Sequence, residues 1–383
     1  MTDQEERQGA EVRTAPAGRP LRAVVIGGSV NGNSDVCSQA WLDLGHSFLA
    51  VGYGAVDDAE HTAFGPIGER ERERGEVFLV DQHTSAKDLL ERIEAYQPDA
   101  VMSRGWAVPP IFKQVMKQMR PPVVRIMFTD TTWRGTAKQW VGRAVHRFMI
   151  DPYFDVAMVP GERTEFLVRR LGFGADDVIR GGYTGNTPLF DSGPRSGDEL
   201  ASRRRFLYVG RLVAFKGLDI LATAYRQYRD QVAEPWELHI AGLGPEERLV
   251  SGIEGVTLHG WCDAPALAAL MHECSGFVLP SRSEHFGIVV HEAAAAGLPL
   301  LVSETAGAVP GLLQDGYNGW SVPEGDVAAW TRCLTQLSSQ SPERLGEMSE
   351  ISRGLASRLS PAGWARNLQE TIERRRAMTN GHH

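Results

Sequence analysis

The sequence predicts an α/β protein with two doubly wound parallel sheets, one in each half of the chain. Short, continuous apolar runs such as residues 21–26 and 206–209 are typical of strands that are buried on both faces of a parallel sheet. Segments whose apolar residues recur at helical spacing, such as 86–96 and 218–228, follow these runs. Strands that alternate with helices in this way predict a sheet covered by helices on both faces.

A boundary between two domains is predicted near the middle of the chain. Residues 191–203 are rich in glycine, proline and serine, and a second series of strands and helices begins beyond them. A chain of 383 residues is long enough for two domains that each have their own core. The expected segments are a disordered tail at 1–19, a first domain at 20–190, a linker at 191–203, a second domain at 204–360 and a closing helix at 361–378.

Both domains continue the alternation of strands and helices. In the first domain, further strands are expected at 48–51, 76–80, 100–102, 123–128, 154–159 and 178–179, with helices at 34–44, 86–96, 111–119 and 163–171. In the second domain, strands are expected at 206–209, 237–241, 256–259, 276–279, 300–302 and 319–322, with helices at 218–228, 264–273, 288–296, 327–337 and 343–355.

Four residues of the first domain come directly after predicted strands. The first apolar run leads through Gly28 and Ser29 into a glycine-rich loop, and Arg104 and Asp130 follow later strands. Ligands of open parallel sheets bind at the carboxyl ends of the strands, so all four are candidate binding residues. A tight turn that needs positive φ angles explains the glycines about as well as a ligand does.

Residues 133–149 combine helical spacing of apolar residues with several basic side chains. Such a helix could contact an anionic membrane. An ordinary packed helix with a solvated basic face explains the same pattern, and the whole chain carries a net charge of −8. We therefore expect a packed helix here, and no membrane contact.

The composition excludes several classes of protein. The net charge of −8 and the lack of a dense basic run argue against a nucleic-acid partner. The four cysteines have no paired metal spacing and are expected to be reduced, buried thiols of a cytoplasmic protein. No apolar run approaches the length of a membrane span. A homodimer is left open.

The most informative stretch of the chain is residues 280–297. An apolar strand ends at Pro280, and a loop follows it. Residues 288–296 are good helix formers, and Gly297 terminates that helix. The stretch therefore predicts a loop and a helix at the carboxyl end of a strand in the second sheet.

Two carboxylates of this stretch are expected at different depths. Glu284 lies in the loop with the amides of His285, Phe286 and Gly287, where free N–H groups at a helix start favour an anion. Glu292 lies inside the helix. Carboxylates placed in this way suit an extended ligand, because each can hold hydroxyl groups at a different point along it.

At these residues the sequence resembles a known family, the retaining GT-B glycosyltransferases of glycosyltransferase family four. The resemblance covers roughly residues 206–326 and is specific there, whereas the N-terminal half is similar only in general plan. The matching residues are Glu284-His285-Phe286-Gly287, Glu292-Ala293-Ala294-Ala295-Ala296-Gly297-Leu298-Pro299, Asp315-Gly316-Tyr317-Asn318-Gly319, Gly210-Arg211-Leu212 and Lys216-Gly217.

The resemblance implies a GT-B fold, in which two Rossmann-like domains face each other across a cleft and the last helix crosses back onto the first domain. It also implies that the second domain binds a nucleotide-diphosphate sugar and that the first domain binds the acceptor. Glu292 would bind the ribose hydroxyls. Glu284, with the amides of Phe286 and Gly287, would bind the sugar.

Further donor contacts are implied at the glycine-bearing loops. Gly28 and Ser29 would face the donor phosphates. Trp261 occupies the position where the family holds the base, although a core aromatic explains it equally well. Gly210 and Gly242 permit close backbone approach to the donor, although simple turn geometry explains Gly242 nearly as well.

Two cations are candidates for stabilising the leaving diphosphate. Arg211 follows the strand at 206–209, and Lys216 is expected to open the next helix. A lone cation is usually solvated, but the joint position with the Glu284 loop favours a phosphate site. A helix N-terminus stabilises an anion by ~0.3–1 kcal/mol, whereas a close charge pair contributes roughly 4 kcal/mol at an effective dielectric of about 20. Arg211, Lys216 and Glu284 are therefore the expected catalytic residues.

The function expected from the sequence is retaining transfer of a sugar from a UDP- or GDP-sugar to a small soluble acceptor, as in natural-product biosynthesis. No Asp-x-Asp occurs in the chain, so neither a metal nor another cofactor is expected. Arg104 and Asp130 are the acceptor-side candidates. The alternatives are a sugar-nucleotide epimerase or phosphorylase of the same fold, a non-catalytic binder of nucleotide sugars, and a transferase that acts on a lipid or polysaccharide.

Overall fold

Two parallel sheets, each covered by helices, make up the computed structural model of the chain. The fold class predicted from the sequence is confirmed. The predicted tail falls outside the described residues up to residue 18. The structure describes residues 19–29, 35–53, 76–81, 83–105, 109–182, 184–191 and 193–380.

The first sheet contains seven parallel strands within the described residues. These are β1 (Arg22–Ser29), β2 (Ser47–Tyr53), β3 (Glu76–Val80), β4 (Ala100–Arg104), β5 (Val124–Phe128), β6 (Val156–Val159) and β7 (Val178–Arg180). Their spatial order is β3-β2-β1-β4-β5-β6-β7. The chain therefore reverses its direction of travel across the sheet between β1 and β4, and the loops after these two strands diverge to leave a crevice.

The second sheet repeats this design with six parallel strands within the described residues. These are β8 (Arg205–Val209), β9 (Glu237–Ala241), β10 (Val256–Gly260), β11 (Gly276–Leu279), β12 (Leu300–Ser303) and β13 (Gly319–Val322). The spatial order is β10-β9-β8-β11-β12-β13, so the crevice opens between β8 and β11.

Helices of the first half cover both faces of the first sheet. They are α1 (Asp35–Asp43), α2 (Ala86–Tyr96), α3 (Pro110–Gln118), α4 (Ala137–Ala144), α5 (His146–Met149), α6 (Glu162–Arg170) and α7 (Thr187–Phe190). In the described part of the chain, none of the helices is long and apolar enough to cross a bilayer.

Helices of the second half cover the second sheet, and the last one returns to the first. They are α8 (Gly197–Arg203), α9 (Leu218–Gln231), α10 (Ala264–His272), α11 (Ile288–Ala295), α12 (Val309–Leu312), α13 (Val327–Ser338), α14 (Pro342–Ala356) and α15 (Pro361–Asn380).

The central strands that the apolar runs predict are buried because helices cover both faces of each sheet. All four residues of β6 and all four of β11 are buried. Fully burying a valine, leucine or phenylalanine side chain contributes about 1.5–3 kcal/mol. These central strands therefore fix the frame from which the loops at the carboxyl edges project.

Helix α15 packs against α1, β5 and β7 of the first half, as the family resemblance implies. Trp364 is 6% exposed and packs in one cluster with Trp41, Leu368 and Ile372. Its indole Nε1 donates a hydrogen bond of 2.9 Å to the carbonyl of Gly182. The end of the chain therefore closes the core of the first half.

Two local predictions for the first half of the chain need correction. β1 continues through Gly27 and Gly28 to Ser29, so the predicted loop there is strand; an irregularity in its pairing with β2 lies between Ile26 and Ser29. The helix expected from residue 133 begins at Ala137, because Thr136 and Gln139 form a capping box there.

The predicted linker contains a helix, α8, which Ser196 caps by accepting a hydrogen bond from the amide of Glu199. Its surface packs against α14. The domain boundaries themselves stay predictions. All four cysteines are free thiols, of which Cys37 and Cys274 are buried and the other two are partly exposed.

Replacing Trp364 with alanine should lower the free energy of unfolding by about 3–5 kcal/mol, because it removes a large buried side chain from the cluster that joins α15 to the first sheet. The measurement is urea-induced unfolding followed by circular dichroism. Met378→Ala is the matched control on the same helix, since Met378 is 56% exposed and its loss should change stability by less than about 0.5 kcal/mol. A Trp364→Ala variant as stable as this control would contradict the packing described.

Candidate functional site

The loops that leave β8 and β11 form the centre of the candidate site. These strands are neighbours in the sheet, and the chain continues from β8 toward one edge and from β11 toward the other. The loop after β8 carries Gly210, Arg211 and Lys216, and the loop after β11 carries Glu284. The predicted catalytic residues therefore lie at the switch point of the second sheet, where open α/β sheets bind ligands.

Lys216 and Glu284 form an ion pair between the two loops. Both side chains are largely buried, with exposed fractions of 12% and 16%. The hydroxyl of Ser281 also donates to the Glu284 carboxylate, at 3.4 Å. A partly buried pair of this kind is costly to break, because either partner alone would leave an uncompensated charge.

Lys216 does not open a helix as predicted. It ends a short 3-10 turn (Ala214–Lys216), and α9 begins after Gly217. Gly217 has φ +74°, and a Cβ there would lie 2.1 Å from the carbonyl oxygen of Pro280. Only glycine permits this contact between the two loops, and the contact sets the position of Lys216.

Arg211 lies beside the ion pair without a carboxylate partner among the described residues. Its guanidinium is 5.6 Å from the ring centre of Phe215, and the Lys216 ammonium is 5.7 Å from the same ring. The hydroxyl of the buried Tyr208 donates to the Arg211 carbonyl at 3.1 Å. Burial raises the pKa of Tyr208, and the nearby Glu284 carboxylate raises it further.

Glycine residues allow the neighbouring loops to pack backbone against backbone. Gly242 has φ +149°, and a Cβ there would lie 1.9 Å from the Gly210 carbonyl oxygen. The Gly242 amide donates to the carbonyl of Gly260 at 2.7 Å. Turn geometry and close loop packing therefore account for Gly242, and any donor contact at this position stays a prediction.

The amides of the second loop lie at the start of α11, as predicted. Gly287 caps the helix with φ +91°, and Phe286 is buried. His285 is exposed, and its Nδ1 lies 3.7 Å from the Asp130 carboxylate in the loop after β5. The structure therefore brings Asp130, an acceptor-side candidate, to the loop after β11 in the other half.

A second contact joins the halves at the same place, and no local sequence pattern predicts it. The Arg134 guanidinium donates a hydrogen bond of 2.6 Å to the hydroxyl of Ser283. Arg104 is exposed at the end of β4 and lies across Gly27, where a Cβ would be 3.6 Å from its side chain. Nothing in the described residues joins Arg104 to the loops after β8 and β11.

Glu292 lies one turn into α11, facing the segment after β7. A Cβ at Gly185 would lie 2.6 Å from the Glu292 Cγ, so glycine is needed for this approach. The carboxylate makes no hydrogen bond to another described residue, and burial raises its pKa to about 7. An ionisable group that is desolvated and unpaired in a crevice is a candidate ligand-binding group.

His291 holds the same segment in place. Its ring can be buried because it is neutral and both of its nitrogens are hydrogen-bonded. The Gly185 amide donates to Nδ1 at 3.0 Å, so Nε2 carries the proton and donates to the Ala356 carbonyl at 2.9 Å. Burial lowers the pKa of His291. It is a positioning residue that keeps Gly185 against Glu292.

The remaining candidates lie at the rim of the site. Trp261 is 58% exposed just after β10, so the interpretation as a core aromatic is wrong and the base-contact interpretation stays a prediction. Gly28 and Ser29 lie at the end of β1, beside the crevice of the first sheet. Within the described residues, no group of three His, Cys, Asp or Glu side chains could hold a metal ion.

The comparisons with known proteins agree with this geometry. Residues 203–340 match the family model described as glycosyl transferases group 1. The matched residues lie in the second half of the chain. The match includes both loops of the site and Glu292.

The glycogen synthase of Mycobacterium tuberculosis (strain CDC 1551 / Oshkosh) is 29% identical to this chain over 253 residues. The alignment covers 61% of this chain and 58% of that protein, so the chain matches less than two thirds of its length.

Two solved structures share the fold of almost the whole chain. A glycosyltransferase from Rickettsia africae ESF-5 has a TM-score of 0.73 at 13% identity, with 94% of this chain and 99% of that chain covered. Anabaena HepE in complex with UDP and glucose has a TM-score of 0.68 at 16% identity, with coverages of 92% and 99%. The fold is GT-B, as the sequence resemblance implied.

Glu292→Gln should stabilise the fold at neutral and alkaline pH relative to the wild type. The folded-state pKa of Glu292 is raised to about 7, whereas an unfolded glutamate ionises near 4.5, so the wild type loses stability as the pH rises between these values. The advantage of the variant should be small at pH 4.5 and reach on the order of 1–3 kcal/mol at pH 8.

Urea unfolding across this pH range measures the difference. Glu350→Gln serves as the control, because Glu350 is exposed on α14. A stability difference between Glu292→Gln and wild type that does not change with pH would contradict the burial described.

Proposed function

We propose that this chain is a retaining glycosyltransferase that takes a sugar from a UDP- or GDP-sugar without a metal ion. The observation that carries the proposal is the arrangement of Arg211, Lys216 and Glu284 at the switch point of the second sheet. The group 1 match over both loops supports it, and so does the structural neighbour that was solved with UDP and glucose.

Arg211 would supply most of the positive charge that neutralises the diphosphate. In the absence of donor, Lys216 is balanced by Glu284, whereas Arg211 has no carboxylate partner in the described part of the chain. One charge pair at close range contributes roughly 4 kcal/mol at an effective dielectric of about 20. The N-terminus of the eight-residue helix α11 adds ~0.3–1 kcal/mol. The cations therefore dominate the stabilisation of the leaving group.

The ion pair can also couple donor binding to sugar placement. A diphosphate that approaches Lys216 attracts the ammonium, and Glu284 is then free to accept hydrogen bonds from sugar hydroxyls. The amides of Phe286 and Gly287 lie next to it at the start of the helix. Glu292 would accept hydrogen bonds from the ribose, and Trp261 would contact the base at the rim.

No protein nucleophile is assigned in this proposal. The acceptor hydroxyl would attack from the face that the diphosphate leaves, and the departing phosphate oxygen would take its proton, so the anomeric configuration is retained. Asp130 would position the acceptor, since it lies 3.7 Å from His285 in the donor loop. Arg104 stays an acceptor-side prediction without a contact that links it to this point.

The acceptor is the least constrained part of the proposal. The net charge of −8 and the lack of a convincing membrane helix in the sequence favour a small soluble acceptor. Relatives named for glycogen synthesis, for mannosyl transfer to phosphatidyl-myo-inositol and for transfer to inositol phosphate show how widely acceptors differ at this similarity. The family-model match at residues 203–340 does not distinguish between these classes.

The test is turnover of UDP-glucose and GDP-mannose, with release of nucleoside diphosphate and formation of glycoside measured together. Arg211→Ala and Lys216→Ala should each lower nucleotide release about 10²–10³-fold, because each removes a preorganised charge from the leaving group. Arg226→Ala on the exposed face of α9 is the matched control and should retain wild-type turnover.

Two further outcomes decide the finer parts of the proposal. Turnover should be unchanged in EDTA, and the glycoside should keep the anomeric configuration of the donor. Loss of activity in EDTA that Mg²⁺ restores would overturn metal independence, and an inverted product would overturn retention. Near-normal turnover by both charge variants would overturn the site, and nucleotide release without glycoside would favour an epimerase or hydrolytic activity.

A further inference from the structure

Helix α4 turns its polar side toward the protein and its apolar side toward solvent, which is the reverse of an ordinary amphipathic helix. Its buried residues are Gln139 and Gly142, whereas Trp140 and Val141 are 51% and 58% exposed. The expectation of a helix whose apolar stripe is packed in the core is therefore wrong. The apolar stripe of this helix faces away from the protein.

Hydrogen bonds explain why the polar side chain is buried. The Gln139 amide donates to the Thr132 carbonyl at 2.8 Å, and its oxygen accepts from the backbone amide of Arg134 at 2.8 Å. Gln139 thus satisfies the backbone of the turn that precedes the helix. The helix is anchored through this polar network and does not need its apolar face for attachment.

The exposed apolar face has cations on both sides. At 100° per residue, Ala137, Trp140, Val141 and Ala144 cover an arc of about 100° of the helix. Lys138 borders this arc on one side and Arg143 on the other. Side chains that bury an apolar stem and keep a charged end at its edge are typical of helices that lie in a membrane interface.

The next short helix extends the same surface. Phe148 is 80% exposed and Met149 is 43% exposed on α5, with Arg147 beside them. Residues 131–149 contain four Lys or Arg residues and no Asp or Glu, in a chain whose net charge is −8. The surface formed by the exposed side chains of residues 137–149, called here the apolar-basic surface, is therefore positively charged against an acidic background.

Ring contacts connect this surface to the mouth of the interdomain cleft. Trp140 packs edge-on against Trp133 at 5.3 Å, and the Arg170 guanidinium lies 5.2 Å from the Trp133 ring and 4.2 Å from that of Phe166. Trp133 and Phe166 line a cavity of about 250 Å³ together with Thr132, Glu162 and Arg163. Arg134, one residue on, contacts Ser283 in the donor loop.

We propose that the apolar-basic surface binds the headgroup region of an anionic phospholipid membrane. Exposed tryptophan and phenylalanine side chains enter the interface between water and lipid, and Arg143 and Arg147 pair with anionic headgroups. Charge complementarity selects this occupant, because anionic headgroups offer a continuous negative surface to the cations and an interfacial layer to the exposed rings. On the proposed function, this attachment would place the acceptor side of the molecule at the membrane surface.

Binding to vesicles tests the proposal without requiring any catalytic activity. The full chain should co-sediment with vesicles of phosphatidylcholine that contain phosphatidylglycerol, and should bind vesicles of phosphatidylcholine alone far more weakly. Binding should fall in 1 M NaCl, where the screening length is about 3 Å. Each cation near an anionic surface raises the partition coefficient roughly fivefold, so Arg143→Glu/Arg147→Glu should lower it at least about 25-fold.

A second variant separates the apolar contribution. Trp140→Ser/Phe148→Ser should lower partition at least about tenfold, because both side chains lose their place in the interface. Arg226→Glu/Arg332→Glu and Tyr317→Ser are the matched controls, since all three residues are exposed in the second half of the chain. These controls should bind like the wild type, and circular dichroism should show all variants folded.

Three results would overturn the proposal. The first is no binding of the wild type to phosphatidylglycerol vesicles. The second is binding that the two surface variants leave unchanged. The third is a wild-type dimer that the surface variants convert to a monomer, which would assign the surface to a second copy. Nucleotide release from a donor in vesicle-free buffer is a separate readout, so a failure of the proposed transferase activity is distinguishable from a failure of this inference.

Discussion

The ion pair between Lys216 and Glu284 is the interaction on which the candidate site depends. It joins the loop after β8 to the loop after β11, the two neighbours at which the second sheet reverses its strand order. The pair is largely buried, and its position is set by Gly217, which lies against the Pro280 carbonyl. The ion pair and this backbone contact therefore fix the two loops relative to each other, and fixed charged groups are the condition for electrostatic stabilisation of a developing charge.

The same arrangement leaves one cation and one carboxylate unused by the protein itself. Arg211 has no acidic partner, and Glu292 has no hydrogen-bond partner, in the described part of the chain. Burial without compensation raises the pKa of Glu292 to about 7, which costs stability at neutral pH. A buried, unpaired carboxylate in a crevice is a candidate ligand-binding group, because a ligand that donates hydrogen bonds to it offsets this loss of stability.

The sequence predicted most of the fold because continuous apolar runs mark buried parallel strands directly. It also placed Arg211 after β8 and Glu284 in the loop after β11, since their neighbours in the chain define those strand ends. The prediction that Lys216 opens the next helix is wrong, because Lys216 ends a 3-10 turn before it. The sequence patterns do not determine the order of the strands within each sheet, so the switch points were not predicted. The contacts of His285 with Asp130 and of Arg134 with Ser283 depend on how the two halves face each other, and they leave no local pattern.

The helix at 137–144 shows a different limit of sequence patterns. Spacing identifies an apolar stripe but does not say whether that stripe packs inward, and here the hydrogen bonds of Gln139 decide the orientation. Trp261 illustrates the same limit, because an aromatic after a strand is equally consistent with a core and with an exposed rim. At both positions, the direction in which the side chains face depends on tertiary contacts and not on the local sequence pattern.

A crystal structure of the chain with an intact nucleotide-diphosphate sugar tests the central claim most directly. The account predicts diphosphate oxygens within about 2.7–3.2 Å of the Arg211 guanidinium, the Lys216 ammonium or the amides at the start of α11, with the ribose at Glu292. Phosphates bound elsewhere, with the Lys216–Glu284 pair untouched and Glu292 still unpartnered, would contradict it.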